Sequence, residues 1–445
     1  MWRILNFVSD FIKTHFRLRG FVLTEDFKKC LDLLENNSQN VFLTGKAGTG
    51  KSTLIKHFRF HTKKCVVVVA PTGIAALNIG GQTIHSFFKF PPRIITKKAI
   101  SDRIDTRLYA NIDTLVIDEI SMVRADILDG IDYFLRHYGR DRNLPFGGIQ
   151  VVLVGDLYQL PPVVTKEEAG IYNKLYDSPY FFNSLVYKMA NFKVIELSTV
   201  FRQTDDHFIE ILNKIRVGQV DNETLAPINE RLSQKDSKDH IILTTTNSVA
   251  DGINQQKLDS INKPLFSYQA TIEGVFPTED RNLPAPLKLQ LKKGARVMFV
   301  KNDRGGRWIN GTLGRVAYLD ESKIKVKIND EHNNYEIEVL VEEWENIRYE
   351  RDPETEEIKI MVIGKLQQFP LRLAWAVTIH KSQGMTFPKV KVNFTKPTFA
   401  HGQAYVAFSR CKELKGLMLT TRVWPNDILI DPEITEFHKA YLSSG

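Results

Sequence analysis

Gly45-Lys46-Ala47-Gly48-Thr49-Gly50-Lys51-Ser52 spell G-x-x-x-x-G-K-S directly after Val41, Phe42 and Leu43, an apolar run that reads as a buried strand. Strand, glycine-bearing loop and helix in that order make a phosphate cradle. The glycines let successive backbone N–H groups turn toward phosphate oxygens, Lys51 reaches the β- and γ-phosphates, and the Ser52 hydroxyl can hold Mg²⁺. Triphosphate binding is therefore expected at Gly45, Ala47, Gly48, Thr49, Gly50, Lys51, Ser52 and Thr53.

The chain on either side alternates between strand and helix. Thr24 is placed to cap a helix with Glu25 and Asp26 in its first turn, running to about residue 35. Short β-branched runs recur at 66–69, 115–117, 151–154, 194–197, 241–245, 390–394 and 417–420. Continuous apolar runs of this length suit parallel strands buried on both faces, and two α/β sheets accommodate them better than one. Helical spacing separates most of them. Ile127, Ile131, Phe134, Leu135 and Tyr138 share one face over 126–138, before Gly139 ends the helix.

One stretch departs from the pattern. Over 291–364 the period becomes two, with Ile324, Val326 and Ile328 alternating with lysines and Tyr335, Ile337 and Val339 alternating with Glu336 and Glu338. This predicts a small antiparallel barrel inserted into a second α/β domain, with 350–357 as a solvated turn. The expected organisation is an N-terminal extension at 1–20, a first domain over 21–196, a second over 197–290 and 365–445, and the barrel between.

Two further strand ends carry acids and amides. Thr114-Leu115-Val116-Ile117-Asp118-Glu119 is an apolar strand closing on two carboxylates, which downstream of a phosphate loop is what Mg²⁺ and an attacking water require. Asp118 would hold the metal with Ser52, and Glu119 would orient or deprotonate the water. After the run at 151–154, Gln159 in Gly155-Asp156-Leu157-Tyr158-Gln159-Leu160-Pro161-Pro162 can hydrogen-bond the γ-phosphate or the water. Arg202, read as opening the helix after 194–197, and Arg410 in Tyr405-Val406-Ala407-Phe408-Ser409-Arg410 can neutralise transition-state charge, an effect worth roughly 10³ to 10⁵ in rate.

Composition limits the partners. The 445 residues suffice for roughly two or three domains. The 43% hydrophobic and 25% charged content is that of an ordered globular chain. A net charge of +8 and a pI near 9.1 favour a polyanion. Cys30, Cys65 and Cys411 show neither paired nor metal-ligand spacing, which suits a reducing compartment. No apolar run is long enough to span a bilayer. Trp2, Leu5, Val8, Phe11, Ile12 and Phe16 recur at helical spacing, so residues 1–20 read as an amphipathic helix, either packed on the body or serving as a targeting segment.

These residues together resemble a known family. Residues 45–52, Ala70-Pro71-Thr72-Gly73-Ile74-Ala75-Ala76, Asp118-Glu119-Ile120-Ser121-Met122-Val123, 155–162, Phe201-Arg202-Gln203 and Thr378-Ile379-His380-Lys381-Ser382-Gln383-Gly384 fall in the order of superfamily-one helicases. The match is most similar to the petite-integration-frequency (Pif) family, relatives of RecD, and Arg124-Ala125-Asp126-Ile127-Leu128-Asp129 resembles its signature. The resemblance covers residues 23–419. It implies two RecA-like P-loop domains, a Src-homology-type barrel beginning near Trp308, Asn310 and Gly311, and ATP with Mg²⁺ in the cleft.

By the same resemblance Lys51, Asp118, Glu119, Gln159, Arg202 and Arg410 form the hydrolytic set. Pro71, Thr72, Gly73, His85, Thr378, His380, Lys381 and Ser382 become candidate single-stranded DNA contacts. The basic stretch at 87–108, with Lys89, Arg93, Lys97, Lys98, Arg103 and Arg107, corresponds to a wedge at the duplex junction; by itself it reads equally as a solvated loop. The implied activity is an ATP-dependent DNA helicase moving 5′-to-3′ on single strands, unwinding duplex or structured DNA in replication, repair, recombination or telomere maintenance. Its partners would be single strands and single-strand/duplex junctions, with no membrane. The chain would be monomeric when free and intracellular, in the cytoplasm of a bacterium or the nucleus or mitochondrion of a eukaryote. A DNA-stimulated ATPase switch and an RNA-directed motor are the alternatives. One departure stands out: the family often carries an adenine-contacting glutamine in L-S/T-x-x-Q, whereas here Leu23-Thr24-Glu25-Asp26 is followed by Phe27.

Overall fold

The computed structural model describes residues 23–97, 100, 107–233, 239–278, 283–303, 305–329, 334–351, 358–394 and 400–442. The N-terminal extension, Lys98, Arg103 and residues 352–357 of the expected 350–357 turn lie outside the described residues, whereas Glu350 and Arg351 are not turn but the end of a strand, Glu342–Arg351.

The apolar runs of the first half become strands β1 (Val41–Gly45), β2 (Val66–Ala70), β3 (Gln82–Thr83), β4 (Thr114–Ile117), β5 (Gln150–Val154) and β6 (Lys193–Leu197). They form one parallel sheet in the order β3-β2-β4-β5-β1-β6. Both faces are covered, which is why the runs are continuous rather than alternating. Val67, Val69, Leu115, Ile117, Val151 and Leu153 enter one core, and Val68, Val116, Val152 and Val154 enter the other with Phe27, Leu54 and Phe58 from flanking helices. Each such side chain, fully buried, contributes roughly 1.5–3 kcal/mol. The Thr24 hydroxyl caps helix Glu25–Asn36 by accepting from Phe27 N, and helix Ala125–Tyr138 buries the face that its spacing predicts.

A second parallel sheet runs β18-β7-β19-β20, from β7 (Ile241–Thr244), β18 (Ala376–Thr378), β19 (Val390–Asn393) and β20 (Leu417–Leu419). Ala376-Val377-Thr378 is too short to announce itself; its pairing with β7 makes it a strand.

Between β7 and β18 the pairing is antiparallel. Strands β11 (Arg296–Phe299), β12 (Leu313–Leu319), β13 (Ile324–Asn329), β14 (Asn334–Val339) and β17 (Leu371–Leu373) form one sheet in the order β14-β13-β12-β11-β17. Ile324, Val326 and Ile328 are buried opposite Val339, Ile337 and Tyr335, as the period of two requires. The antiparallel region is wider than 291–364. It begins with β8 (Phe266–Gln269), β9 (Thr271–Gly274) and β10 (Lys288–Leu291), and closes with β17. Of these early strands β9 has no buried face: it is exposed along its whole length and pairs with β16 (Ile358–Gln368).

The hairpin of β15 (Glu342–Arg351) and β16 reaches the first sheet. Tyr349 is buried there, its ring 5.6 Å from Phe87 and its hydroxyl accepting from Arg59 Nη2 at 3.1 Å, while its N–H donates to Gln82 Oε1 at 3.1 Å. No disulfide joins Cys30, Cys65 or Cys411. Among the described residues no helix is long and apolar enough to cross a membrane.

Candidate nucleotide site

The loop after β1 turns on two left-handed glycines, Gly48 at φ +83° and Gly50 at φ +82°. A Cβ on Gly48 would lie 2.4 Å from Arg202 Cβ, so this glycine also admits the arginine to the loop. Gly50 caps helix Lys51–His61 without a side-chain bond, leaving the first N–H groups free for an anion. The Lys51 ammonium is held by the carbonyls of Gly45 at 2.6 Å and Lys46 at 3.0 Å. Burial pulls its pKa down, against the opposing pull of Asp156 and Glu119. A cavity of ≈ 480 Å³ opens here, lined by Ala47 to Thr53 together with Asp118, Glu119, Gln159, Arg202 and Arg410. Gly45 stays outside that lining and packs against Leu197.

β4 ends at the carboxylates. Glu119 sits at φ +51°, a strained position for a residue with a side chain, and leads into the tight turn Ile120–Met122. Burial, and then the neighbouring Asp118, push the Glu119 carboxyl up to about 7. Asp118 is raised by burial and drawn back by Lys56, Lys51 and the Ser52 hydroxyl. Ser52 and Asp118 thus already meet, and two protein oxygens with phosphate and water completing the shell suit Mg²⁺. From the end of β5, Gln159 Nε2 donates to Asp156 Oδ2 at 3.3 Å, and Asp156 is anchored by Arg216 at 3.0 Å.

The other wall comes from later in the chain. Gln383 Nε2 donates to both Glu119 Oε2 at 3.3 Å and Gln159 Oε1 at 3.1 Å. The Tyr405 hydroxyl accepts from the Ala47 N–H of the phosphate loop at 2.8 Å. Arg202 gives Nη2 to the Gly384 carbonyl at 3.1 Å, whereas its Nη1 is buried without a hydrogen-bond partner, a donor suited to an anion. Arg202 lies in a loop, not at a helix start: the helix is Asp206–Arg216, capped by the Asp205 carboxylate, which takes the N-terminal position. Arg410 is 1% exposed and bonds the carbonyls of Val406, Ser382 and Met385 and the Ser409 hydroxyl, with the Glu119 and Asp156 carboxylates acting on it through their charge. Burial, and then Arg202, hold its pKa well below the usual range.

The profile of the family described as PIF1, PIF1-like helicase, matches residues 22–226. The ATP-dependent DNA helicase Pif1 of Bdellovibrio bacteriovorus is 32% identical, over 94% of this chain and 92% of that protein. The chain belongs to the Pif1-like helicase family. Among solved structures, Bacteroides sp Pif1 in complex with ADP-AlF4 superposes with a TM-score of 0.87 at 40% identity, covering 96% of this chain and 98% of that one. The same Bacteroides protein bound to ssDNA covers equal shares at equal identity but scores 0.69.

A Pif1-like helicase is an ATP-hydrolysing enzyme, and the residues expected to hydrolyse converge on one cavity. The candidate strand contacts do not. Thr378 and Lys381 share a cavity of ≈ 410 Å³ with Asn254 and Lys288, and Lys381 also lines a smaller cavity beside Ile74 and Asn78. Pro71, Thr72 and Gly73 follow β2, where Thr72 caps helix Gly73–Ile79 by accepting from Ala75 N. His380 is exposed. His85 is half-buried, its pKa lowered by burial and by Arg124. Ser382 is fully buried and donates its hydroxyl to the Ile379 carbonyl at 2.7 Å, so in this conformation that hydroxyl is not presented to a strand. In the basic stretch, Phe87, Phe88, Phe90 and Ile95 are buried, and Ile95 N–H donates to Asp126, which Arg124 holds in a bidentate pair. Gln383, Tyr405 and the Asp156–Arg216 pair escaped sequence reading. The first two lie inside recognised motifs; what marks them is the distance across the cleft, which spacing does not encode.

Proposed function

We propose that this chain is an ATP-dependent DNA helicase that translocates 5′-to-3′ along single-stranded DNA and opens duplexes at single-strand/duplex junctions. The observation carrying this reading is the two-sided cleft. Lys51, Ser52, Asp118, Glu119 and Gln159 lie at strand ends of the first sheet, Arg202 enters from the loop after β6, and Gln383 and Arg410 face them from segments that follow strands of the second sheet. Hydrolysis here can couple to relative movement of the halves, because the wall that reports on the phosphates is carried by the other sheet.

In this reading the Lys51 ammonium exchanges its carbonyl partners for the β- and γ-phosphates, and Ser52 and Asp118 would hold Mg²⁺, which would neutralise phosphate charge. Glu119 takes up the proton of the attacking water, which Gln159 orients, and Arg202 and Arg410 neutralise charge gathering on the transferred phosphoryl group. The backbone and hydroxyls of 71–73, with Thr378, His380 and Lys381, grip strand phosphates without reading bases. The first domain spans 21–196 and the second 197–265 and 374–445, with the antiparallel insertion between them and the 87–108 stretch as the junction wedge. The free chain is a monomer. Support comes from the Bacteroides relatives, whose structures are described with ADP-AlF4 and with ssDNA.

Unwinding of duplexes bearing only a 5′ or only a 3′ tail tests the reading. Strand separation should require the 5′ tail; preference for the 3′ tail overturns the polarity, and DNA-stimulated hydrolysis with no separation indicates a switch instead.

A further inference from the structure

Gln159 lines the phosphate end of the cleft, and its orientation is decided one layer further back. Its Nε2 donates to Asp156 Oδ2 at 3.3 Å, and its Oε1 accepts from Gln383 Nε2 at 3.1 Å. An amide nitrogen has a second N–H and its oxygen a second lone pair, so each end can also serve a water or a phosphate oxygen while held this way. The other Asp156 oxygen, Oδ1, accepts from Arg216 Nη2 at 3.0 Å, from Arg216 Nε at 3.2 Å and from the Tyr158 N–H at 3.3 Å. One carboxylate thus bridges a guanidinium and an amide. Ionised, it only accepts, which obliges Gln159 to turn Nε2 toward it and Oε1 toward Gln383; protonated, it could donate and admit the reversed amide. Burial pushes the Asp156 carboxyl up, but Arg216 and then Lys51 outweigh burial and hold it below the usual range.

Arg216 is itself fixed on several sides. It is 3% exposed, its guanidinium lies 4.6 Å from the centre of the Tyr158 ring, and it reaches Glu196 on β6 at 3.6 Å. It ends helix Asp206–Arg216, which buries Phe208, Ile211, Leu212 and Ile215. The start of that helix is fastened to segments of the second half. Asp205 Oδ2 accepts from Leu414 N at 3.3 Å, just before β20, and Gln203 Nε2 donates to the Ser409 carbonyl at 2.9 Å. A helix of 11 residues spans about 16 Å, so one rigid rod joins these segments to the carboxylate behind Gln159. Gly402 bears on the same turn: a Cβ there would lie 2.2 Å from the Gln159 carbonyl oxygen.

We infer that Arg216 is a positioning residue for hydrolysis: by gripping Asp156 it holds the Gln159 amide in the one orientation that meets the attacking water, and ties that orientation to the seating of helix Asp206–Arg216 on the second half. The inference rests on Gln159 being the group that orients the water. Arg216 touches neither nucleotide nor water, so its loss acts on turnover and not on binding.

The experiment measures ATP hydrolysis by the full chain at saturating single-stranded DNA in Arg216→Gln, Arg216→Lys, Gln159→Ala and the Arg216→Gln/Gln159→Ala double variant. Arg216→Gln should lower kcat by about 10- to 100-fold, the scale of a misplaced reacting group, with KM and the affinity for ADP within about threefold of the parent chain. Arg216→Lys keeps the charge but not the forked contact, and should lose about three- to tenfold in kcat. Adding Arg216→Gln to Gln159→Ala should cost no further activity, because residues that act as a unit are not additive. A kcat in Arg216→Gln within about twofold of the parent overturns the inference, as does a loss that multiplies with that of Gln159→Ala or a weakening of ADP to match the fall in kcat. Should melting curves show that Arg216→Gln does not fold, Arg216→Lys decides: an unchanged kcat, or a loss that persists on the Gln159→Ala background, overturns it. Full kcat in Gln159→Ala removes instead the reading on which the inference rests.

Discussion

The nucleotide cleft and the candidate strand track are both built from residues following parallel strands, yet they are organised differently. In the cleft, donors and acceptors from segments far apart in the chain converge within hydrogen-bond distance, several with displaced pKa values. Along the track, Thr72 is spent on a helix cap, Ser382 on a local carbonyl, and His380 is exposed while His85 is half-buried. Phosphoryl transfer demands preorganised charge in a dry site, whereas gripping a backbone that must be released demands only weak, repeated contacts. The two meet in the turn after β18. Lys381 lines the track cavities, and two residues later Gln383 touches Glu119 and Gln159.

The contrast can be broken most forcefully at Lys51. Lys51→Ala should lower hydrolysis by about a thousandfold or more while single-strand affinity, measured by fluorescence anisotropy, stays within about threefold. Parallel loss of both would merge two regions that the structure keeps distinct. Gln383→Ala examines the joint: DNA-stimulated hydrolysis should fall by about a hundredfold, the scale of a misplaced reacting group, with binding of DNA retained. If stimulation survives, the amide is not the link.

pH resolves the cleft alone. Glu119 is pushed up to about 7, so its ionised form, the one able to accept a proton, is lost as pH falls through that value. The rate at saturating nucleotide should drop about tenfold per unit below pH 7 and level off above it, while DNA affinity shows no such break. A flat rate profile between pH 6 and 8 removes Glu119 as the base. The smallest effects belong to the track. Lys381→Gln should reduce the slope of log affinity against log salt by about 0.7, the value of one phosphate contact on a single strand. Ser382→Ala should leave the slope unchanged, because its hydroxyl serves Ile379.

Much of the cleft was legible in linear order because its parts are local. A phosphate loop needs glycines at the left-handed positions 48 and 50, and a double-faced strand needs an unbroken apolar run, as at Val66–Ala70. Arg202 shows the limit. Its position in the chain was recognised, but Asp205 takes the cap and leaves the arginine in a loop against Gly48. The insertion shows another: β9 has no buried face, so only its partner β16 reveals it.

What the sequence determined by itself is what short-range chemistry dictates: the phosphate loop, the longer apolar strands of both sheets, the cap at Thr24, and the acids closing β4. Only the tertiary structure decided that Tyr405 meets Ala47 across 358 positions, that Gln383 meets Glu119 across 264, and that Tyr349 seats the insertion on the first sheet. The reason is physical. Local motifs are selected by backbone geometry within a few residues, whereas contacts across the cleft exist only once a single continuous core has joined residues of both sheets.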